Sequence, residues 1–95
     1  MAELLLLTMD EAKQYLRIDD DDEDELIFNL IRAAEWLVMD VGRLSGGEFL
    51  ENKRRTRAAA LYALAYMYEH REEADYHQLT LDLRSLLFSV RKQVF

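Results

Sequence analysis

Three side chains late in the sequence have a spacing that metal sites use. His70, Glu73 and His77 lie at positions i, i+3 and i+7, and on one continuous helix they would share a face. Imidazole and carboxylate groups both bind zinc, but three ligands still require a fourth ligand or a water. We therefore favour a solvated helix end that runs into a loop, and we expect neither a metal nor another cofactor.

A run of seven acids, DDDDEDE at residues 19–25, is the second group that could bind a cation. A calcium loop needs alternating acids, a Gly at its sixth position and a Glu at its twelfth. Counted from Asp20, the sixth residue is Glu25 and the twelfth is Ile31, and counting from Asp19 fails in the same way. The pattern argues against a specific calcium site and leaves only weak, nonspecific binding of divalent cations.

Nucleophilic catalysis has no support in the sequence. The chain contains no Cys, and Ser45, Ser85 and Ser89 are not in a nucleophile-elbow motif. The sequence SGG at residues 45–47 is too short for a phosphate-binding loop. We expect no catalytic residues and no enzymatic activity.

Length and composition predict a small helical bundle. The 95 residues fit one domain, residues 1–95. Gly is scarce, Pro is absent, and good helix formers are abundant, so we predict an all-α fold of about four helices, with two long antiparallel central helices and short terminal ones. Because 51% of the residues are hydrophobic, we expect apolar surface to be buried against other chains.

Capping signals place the first two helices. Thr8 and Glu11 have the spacing of a capping box, which predicts a first helix that ends near Arg17. The second helix is expected to begin inside the acidic run, where Asp20, Asp21 or Asp22 can cap it and Asp22 with Glu25 has the spacing of a capping box. Gly42 suits the C′ position just after its end. Its apolar residues form two adjacent stripes, so we expect it to be contacted on more than one side.

The second half of the chain predicts two further helices. The segment GRLSGG at residues 42–47 is expected to be a loop. A third helix is predicted from about Glu51 to about Glu73, and a shorter last helix after Thr80. The longest apolar run, residues 58–68, has 11 residues and is shorter than the ~20 that span a membrane. We expect no membrane association.

Charge is distributed unevenly along the chain. The net charge is −7, but outside the acidic run 12 acids balance 12 bases, so free nucleic acid is not expected as the main partner. The basic sequence KRRTR at residues 53–57 would lie near the opposite end of the second helix, about 28 Å away for 19 residues. Two oppositely charged ends favour head-to-tail packing of copies, which can close into a ring; independent solvated faces remain the alternative.

Tyrosines in the apolar run are further candidates for contact with another chain. Tyr62 and Tyr66 belong to a helix that either forms only the core or has a second face in a subunit interface, where Tyr is enriched. The complete set of candidate interface residues is Asp19, Asp20, Asp21, Asp22, Glu23, Asp24, Glu25, Lys53, Arg54, Arg55, Arg57, Tyr62 and Tyr66.

Much of the chain resembles the small head–tail connector proteins of tailed bacteriophages and prophages. The resemblance rests on LTMDEAKQYLRIDDDDEDELIFNLIRAAEWLV at residues 7–38, on the Gly42-Arg43 turn, and on YEHRE at residues 68–72. The absence of Pro before the last helix departs from the family pattern. The resemblance implies a non-enzymatic subunit of a cyclic homo-oligomer beneath the portal protein, which joins the packaged head to the tail.

The resemblance also implies partners and a location. They are the portal protein, a tail-completion or stopper protein, and further copies of the chain, while DNA passes through the channel without sequence-specific binding. The protein would be found at the head–tail junction of the virion, and in the host cytoplasm during assembly. The alternatives are a monomeric helical adaptor or regulator that binds one protein partner, and a metal-dependent enzyme that uses His70, Glu73 and His77.

Overall fold

The computed structural model describes residues 6–70, 73 and 75–88. These residues form five α-helices and no β-strand, which confirms the all-α fold. The helices are α1 (Met9–Leu16), α2 (Asp24–Gly42), α3 (Gly46–Glu51), α4 (Lys53–Glu69) and α5 (Tyr76–Leu86).

Helix α1 begins with the predicted capping box. The Thr8 hydroxyl accepts the Glu11 backbone N–H at 3.1 Å, and the Glu11 carboxylate accepts the Thr8 N–H at 3.2 Å. Two of the backbone donors that a helix start leaves free are thereby satisfied. Arg17 ends the helix in a left-handed conformation with φ of 61°, so the predicted end was correct.

Helix α2 starts differently from the prediction. Asp22 does not cap it; Glu23 occupies the N-cap position and makes no side-chain cap bond. The reason is local, because the Asp20 carboxylate accepts the Asp22 backbone N–H at 3.2 Å and folds these residues into the preceding turn. The first helical residue is Asp24, whose carboxylate favours the positive end of the helix dipole.

The end of α2 also differs from the prediction. Gly42 is the last helical residue rather than the C′ residue, and Arg43 takes the left-handed conformation with φ of 56°. A Cβ atom on Gly42 would lie 3.2 Å from the Leu44 side chain and 3.5 Å from that of Leu87. Close packing against Leu44, and not conformational freedom, is therefore what favours glycine here.

The predicted loop after α2 is shorter than expected. Ser45 forms a second capping box with Glu48, through bonds of 3.1 Å and 2.9 Å, and Gly46 and Gly47 lie in the first turn of α3. The buried Thr56 hydroxyl contacts the Phe49 carbonyl at 2.8 Å. This contact ties α3 to α4, which begins two residues later than predicted.

The two long helices, α2 and α4, are antiparallel and form the centre of the bundle. The Tyr68 hydroxyl near the end of α4 donates to the Glu23 carboxylate at the start of α2. Buried residues of α2, including Ile31 and Ala34, share one core with small residues of α4, including Ala60 and Ala63. Small side chains permit close packing of the helices.

Helix α5 completes this core. It begins at Tyr76, before the predicted start after Thr80, because the Asp75 carboxylate accepts the Gln78 backbone N–H at 2.9 Å and caps it. Leu79 and Leu83 are fully buried. The sequence ELLLL at residues 3–7 was expected to be an apolar arm that seeks a groove, and only its last two residues lie within the described part of the chain. The expected basic end of the last helix, at Arg91 and Lys92, lies outside the described residues.

Candidate interaction surfaces

Part of the acidic run is held by one lysine from α1. The Lys13 ammonium lies 2.7 Å from the Asp21 carboxylate and 2.7 Å from that of Asp24. These bonds raise the pKa of Lys13, and the bond from Lys13 lowers the pKa of Asp21. Only 15% of the Lys13 side chain is exposed, so its charge is largely committed to the two acids.

Of the other five acids, one accepts a hydrogen bond from α4 and four are exposed to solvent. Glu23 accepts the Tyr68 hydroxyl at 2.5 Å. The exposed ones are Asp19, Asp20, Asp22 and Glu25. The end of the bundle where α2 begins, which we call the acidic end, therefore presents negative charge after its internal contacts are satisfied.

The basic cluster lies at the other end of the bundle. Lys53, Arg54 and Arg55 are exposed in the first turn of α4, and within the described residues none of them has an ion-pair partner. Arg57 pairs with Glu11 of α1 and is thus used inside the subunit. We call Lys53, Arg54 and Arg55 the basic end.

The two candidate tyrosines connect α4 to α5 and to the residue that caps α5. The Tyr62 hydroxyl donates to the Asp82 carboxylate at 2.7 Å, and the Tyr66 hydroxyl accepts the Asp75 backbone N–H at 2.9 Å. The bond to Asp82, with a smaller effect of burial, raises the pKa of Tyr62. Both residues have intramolecular roles, and their role at a subunit interface stays a prediction.

The proposed metal ligands do not share a helix. Helix α4 ends at Glu69, and His77 belongs to α5, so the condition under which the three residues would share a face is not met, and the chain leaves the helix before them as we favoured. The His70 ring stacks on the Tyr66 ring with a centroid distance of 4.2 Å. In the described part of the chain, no three His, Cys, Asp or Glu residues are placed to hold a metal ion.

The sequence predicted that α2 is contacted on more than one side but did not single out Trp36 on its exposed apolar surface. The Trp36 side chain is 57% exposed, and it borders a groove of about 480 Å³ whose lining includes Ala33, Leu37 and Tyr76, with Asp40 at the same surface. We call this surface the Trp36 face. It could have been anticipated, because Trp36 is two residues, or 200°, away from a core position on a regular helix.

A second groove lies on the other side of the bundle, between α1 and α4. Its volume is about 840 Å³. Tyr15 and Leu16 line it from α1, and Tyr62 and Ala65 line it from α4. Arg17, Glu69 and His70 also line it, so its surface is part apolar and part polar. We call it the α1–α4 groove.

A buried carboxylate was also missed by sequence reasoning. Glu35 is 1% exposed, and one of its oxygens accepts the backbone N–H groups of Leu6 at 2.9 Å and Leu7 at 2.8 Å. The acid fixes the segment before α1 against α2. The sequence could have indicated this role, since Glu35 lies on the side of α2 that faces the core and is otherwise apolar.

A comparison with protein-family models identifies the class of protein. Residues 7–94 match the family described as phage gp6-like head-tail connector protein. The chain therefore belongs to this family of phage head–tail connectors, which confirms the resemblance found in the sequence. Among curated proteins and among solved structures, no match is found. None of the helices described is long and apolar enough to cross a membrane.

Proposed function

We propose that this connector is one subunit of a cyclic homo-oligomer that lies beneath the portal protein of a filled phage head. The ring would complete the head, extend the DNA channel, and present a surface to the tail-completion or stopper protein. The family assignment supports the connector role. The observation that carries the ring is the presence of two separate open surfaces on one small subunit, the mainly apolar Trp36 face and the α1–α4 groove, whose lining is part apolar and part polar.

Two different apolar surfaces suit contact with two neighbours. A subunit in a ring uses one surface to contact the copy on one side and a different surface to contact the copy on the other side. An exposed aromatic residue such as Trp36 is typical of the energetically important centre of an interface. A subunit that acted alone would leave both surfaces in water.

The charged ends suit contacts above and below the ring. The acidic end and the basic end lie at opposite ends of the bundle and leave unpaired charge exposed. Charges at the edge of an interface determine partner choice and association rate more than affinity. We assign them to the portal protein and the tail-completion protein. Exposed acids that face the channel would repel DNA, so that DNA passes without sequence-specific binding.

The test is the native mass across a concentration series, by light scattering or native mass spectrometry, alone and with the portal protein. A discrete species of many subunits in either condition is the expected result. A chain that stays monomeric in both conditions contradicts the ring. Ring formation would occur in the host cytoplasm, and the finished ring would be retained in purified virions at the head–tail junction.

A monomeric adaptor is the second candidate, and the Trp36 face is the observation that favours it. A single groove of about 480 Å³ with an aromatic edge can bind one helix or loop of a partner protein. This function predicts a discrete one-to-one complex and no higher species. The same mass measurement therefore separates the two functions.

A further inference from the structure

We infer that copies of this chain pack side by side, with the Trp36 face of one copy seated in the α1–α4 groove of the next. This inference rests on the proposed ring, and it names the occupant of both apolar surfaces as a second copy. In this arrangement, the acidic end and the basic end take no part in the contact between neighbouring copies. The reasons are the direction, the shape and the charge of the two surfaces.

The two surfaces point in opposite directions. Trp36 is two residues from the buried Ala34, and Ala65 is two residues from the buried Ala63. Two residues correspond to 200° on an α-helix, so each of Trp36 and Ala65 is nearly opposite its own core position. Because α2 and α4 pack against each other through those core positions, the outer faces lie on opposite sides of the bundle. Such a pair of surfaces makes a heterologous contact that repeats from copy to copy.

The surfaces also differ in shape. The Trp36 face carries a large aromatic side chain with more than half of its surface in water. The α1–α4 groove is a concave site of about 840 Å³ with the small Ala65 side chain in its lining. The exposed indole at the edge of the Trp36 face and the apolar part of the α1–α4 groove, lined by Tyr15, Leu16 and Tyr62, bury apolar surface from both copies, and this burial is the main favourable term in association.

Charge selects this pairing over a two-fold contact between two Trp36 faces. Asp40 is exposed one helical turn after Trp36, and Arg17 is exposed at the edge of the groove. Within the described residues, neither side chain has an ion-pair partner. The groove carries both signs of charge, because Glu69 and His70 line it together with Arg17. Seating the face with Asp40 toward Arg17 brings an acid and a base together at the interface. Pairing two Trp36 faces would instead place Asp40 near its own copy, and like charges at an interface are unfavourable.

The absence of Cys from the sequence allows a direct test by engineered disulfides. Ala33→Cys places a thiol on the Trp36 face, and Ala65→Cys places one in the groove. The two positions are on opposite sides of one subunit, so they cannot reach the Cα separation of about 4.4–6.8 Å that a disulfide needs within a chain. They can meet only between copies.

Under mild oxidation, the double variant is expected to form a ladder of covalent multimers, and an equimolar mixture of the single variants is expected to form dimers only. Each single variant alone should stay monomeric on a non-reducing gel. The matched control combines Ala65→Cys with Leu81→Cys, because Leu81 is exposed on α5 and lines neither surface; it should give no ladder. Light scattering on the unmodified chain is measured in parallel, alone and with the portal protein.

The outcomes separate this inference from the proposed ring. Dimers from Ala33→Cys alone would show a two-fold contact and overturn the inference. A high native mass without a ladder would overturn the inference and leave the ring intact. Absence of any assembly, with or without the portal protein, would overturn both.

The single Trp of the chain gives an independent readout. Its fluorescence emission should shift to shorter wavelength on assembly, because Trp36 becomes buried. An unchanged emission in the assembled state contradicts burial of Trp36.

Discussion

The Glu35 carboxylate and the Leu7 backbone N–H form a 2.8 Å hydrogen bond that is almost closed to solvent. The same oxygen accepts the Leu6 N–H, so one side chain of α2 holds the chain just before α1. Removing a buried acceptor leaves its donors without partners, at a cost of about 1–3 kcal/mol for each.

We therefore expect Glu35→Ala to lower the free energy of unfolding by about 2–4 kcal/mol, measured by urea denaturation. Glu35→Gln, which keeps one acceptor oxygen, should lose less. Glu25→Ala on the exposed side of the same helix is the control, and its effect should stay within about 0.5 kcal/mol. Equal effects at both positions would show that the contact with the segment before α1 does not stabilise the fold.

The bridge from Lys13 to Asp21 and Asp24 predicts a dependence of stability on pH. The pKa of Asp21 is lowered from its ordinary value of 3.8, so its contribution is present above that value and is lost as the pH falls through the lowered pKa. The pKa of Lys13 is raised from 10.5, so its contribution is present below 10.5 and is lost as the pH rises further.

The comparison that isolates this bridge is the difference in unfolding free energy between the natural chain and Lys13→Met. We expect the difference to be largest between those two pH limits and to shrink in acid. Lys53→Met removes an exposed, unpaired base and should give a difference that changes little with pH. A Lys13→Met difference that stays constant down to strong acid would contradict the bridge.

The buried Thr56 hydroxyl predicts a specific loss where α3 meets α4. It contacts the Phe49 carbonyl at 2.8 Å and the Asn52 carbonyl at 3.1 Å. Thr56→Val keeps the shape and removes the single hydroxyl proton that the two carbonyls share, so we expect a loss of about 1–2 kcal/mol in chemical denaturation. Thr80→Val is the matched control, since its bond to the Tyr76 carbonyl is exposed, and comparable losses at both sites would contradict the assignment.

Charge reversal at the basic end tests whether the charged ends contact a flanking protein or a neighbouring copy. In the Arg54→Glu, Arg55→Glu double variant, the native mass at low salt should be unchanged, because neighbours are held through apolar sides. Binding to one of the flanking proteins, the portal or the tail-completion protein, should weaken by about five- to tenfold at low salt and less at high salt.

The control for this reversal is Arg84→Glu, an exposed base on α5 outside the basic end, which should leave both measurements unchanged. If the double variant fails to assemble at low salt, the acidic end of one copy contacts the basic end of the next. That result would restore head-to-tail charge pairing as the contact that closes the ring.

Local signals in the sequence were sufficient for the helix starts that depend on a few neighbouring residues. Thr8 with Glu11 forms the predicted box, because both partners lie within one turn. Asp22 with Glu25 has the same spacing and does not cap, because Asp20 forms the turn that includes Asp22. That competition depends on how the segment is folded, and spacing alone does not reveal it.

Features that depend on packing between helices were less predictable. The sequence indicated two apolar stripes on α2, but only the arrangement of α4 determines that the stripe with Ile31 and Ala34 is buried while Ala33 stays exposed. The use of Glu35 to hold the segment before α1 has the same origin, since its partners lie 28 and 29 residues away. Likewise, Lys13 reaches two acids only because α1 packs beside the start of α2.

The separation of charge between the ends of the bundle makes each subunit an electric dipole. Antiparallel α2 and α4 largely cancel each other's helix dipoles, so the side chains determine its direction, from Glu25 and its exposed neighbours toward Arg54. In a ring, cyclic symmetry cancels the components perpendicular to the ring axis and adds the components along it. A ring of tilted or upright subunits would therefore have an axial field whose sign distinguishes its two openings, and a phosphate backbone moving through the channel would experience that difference.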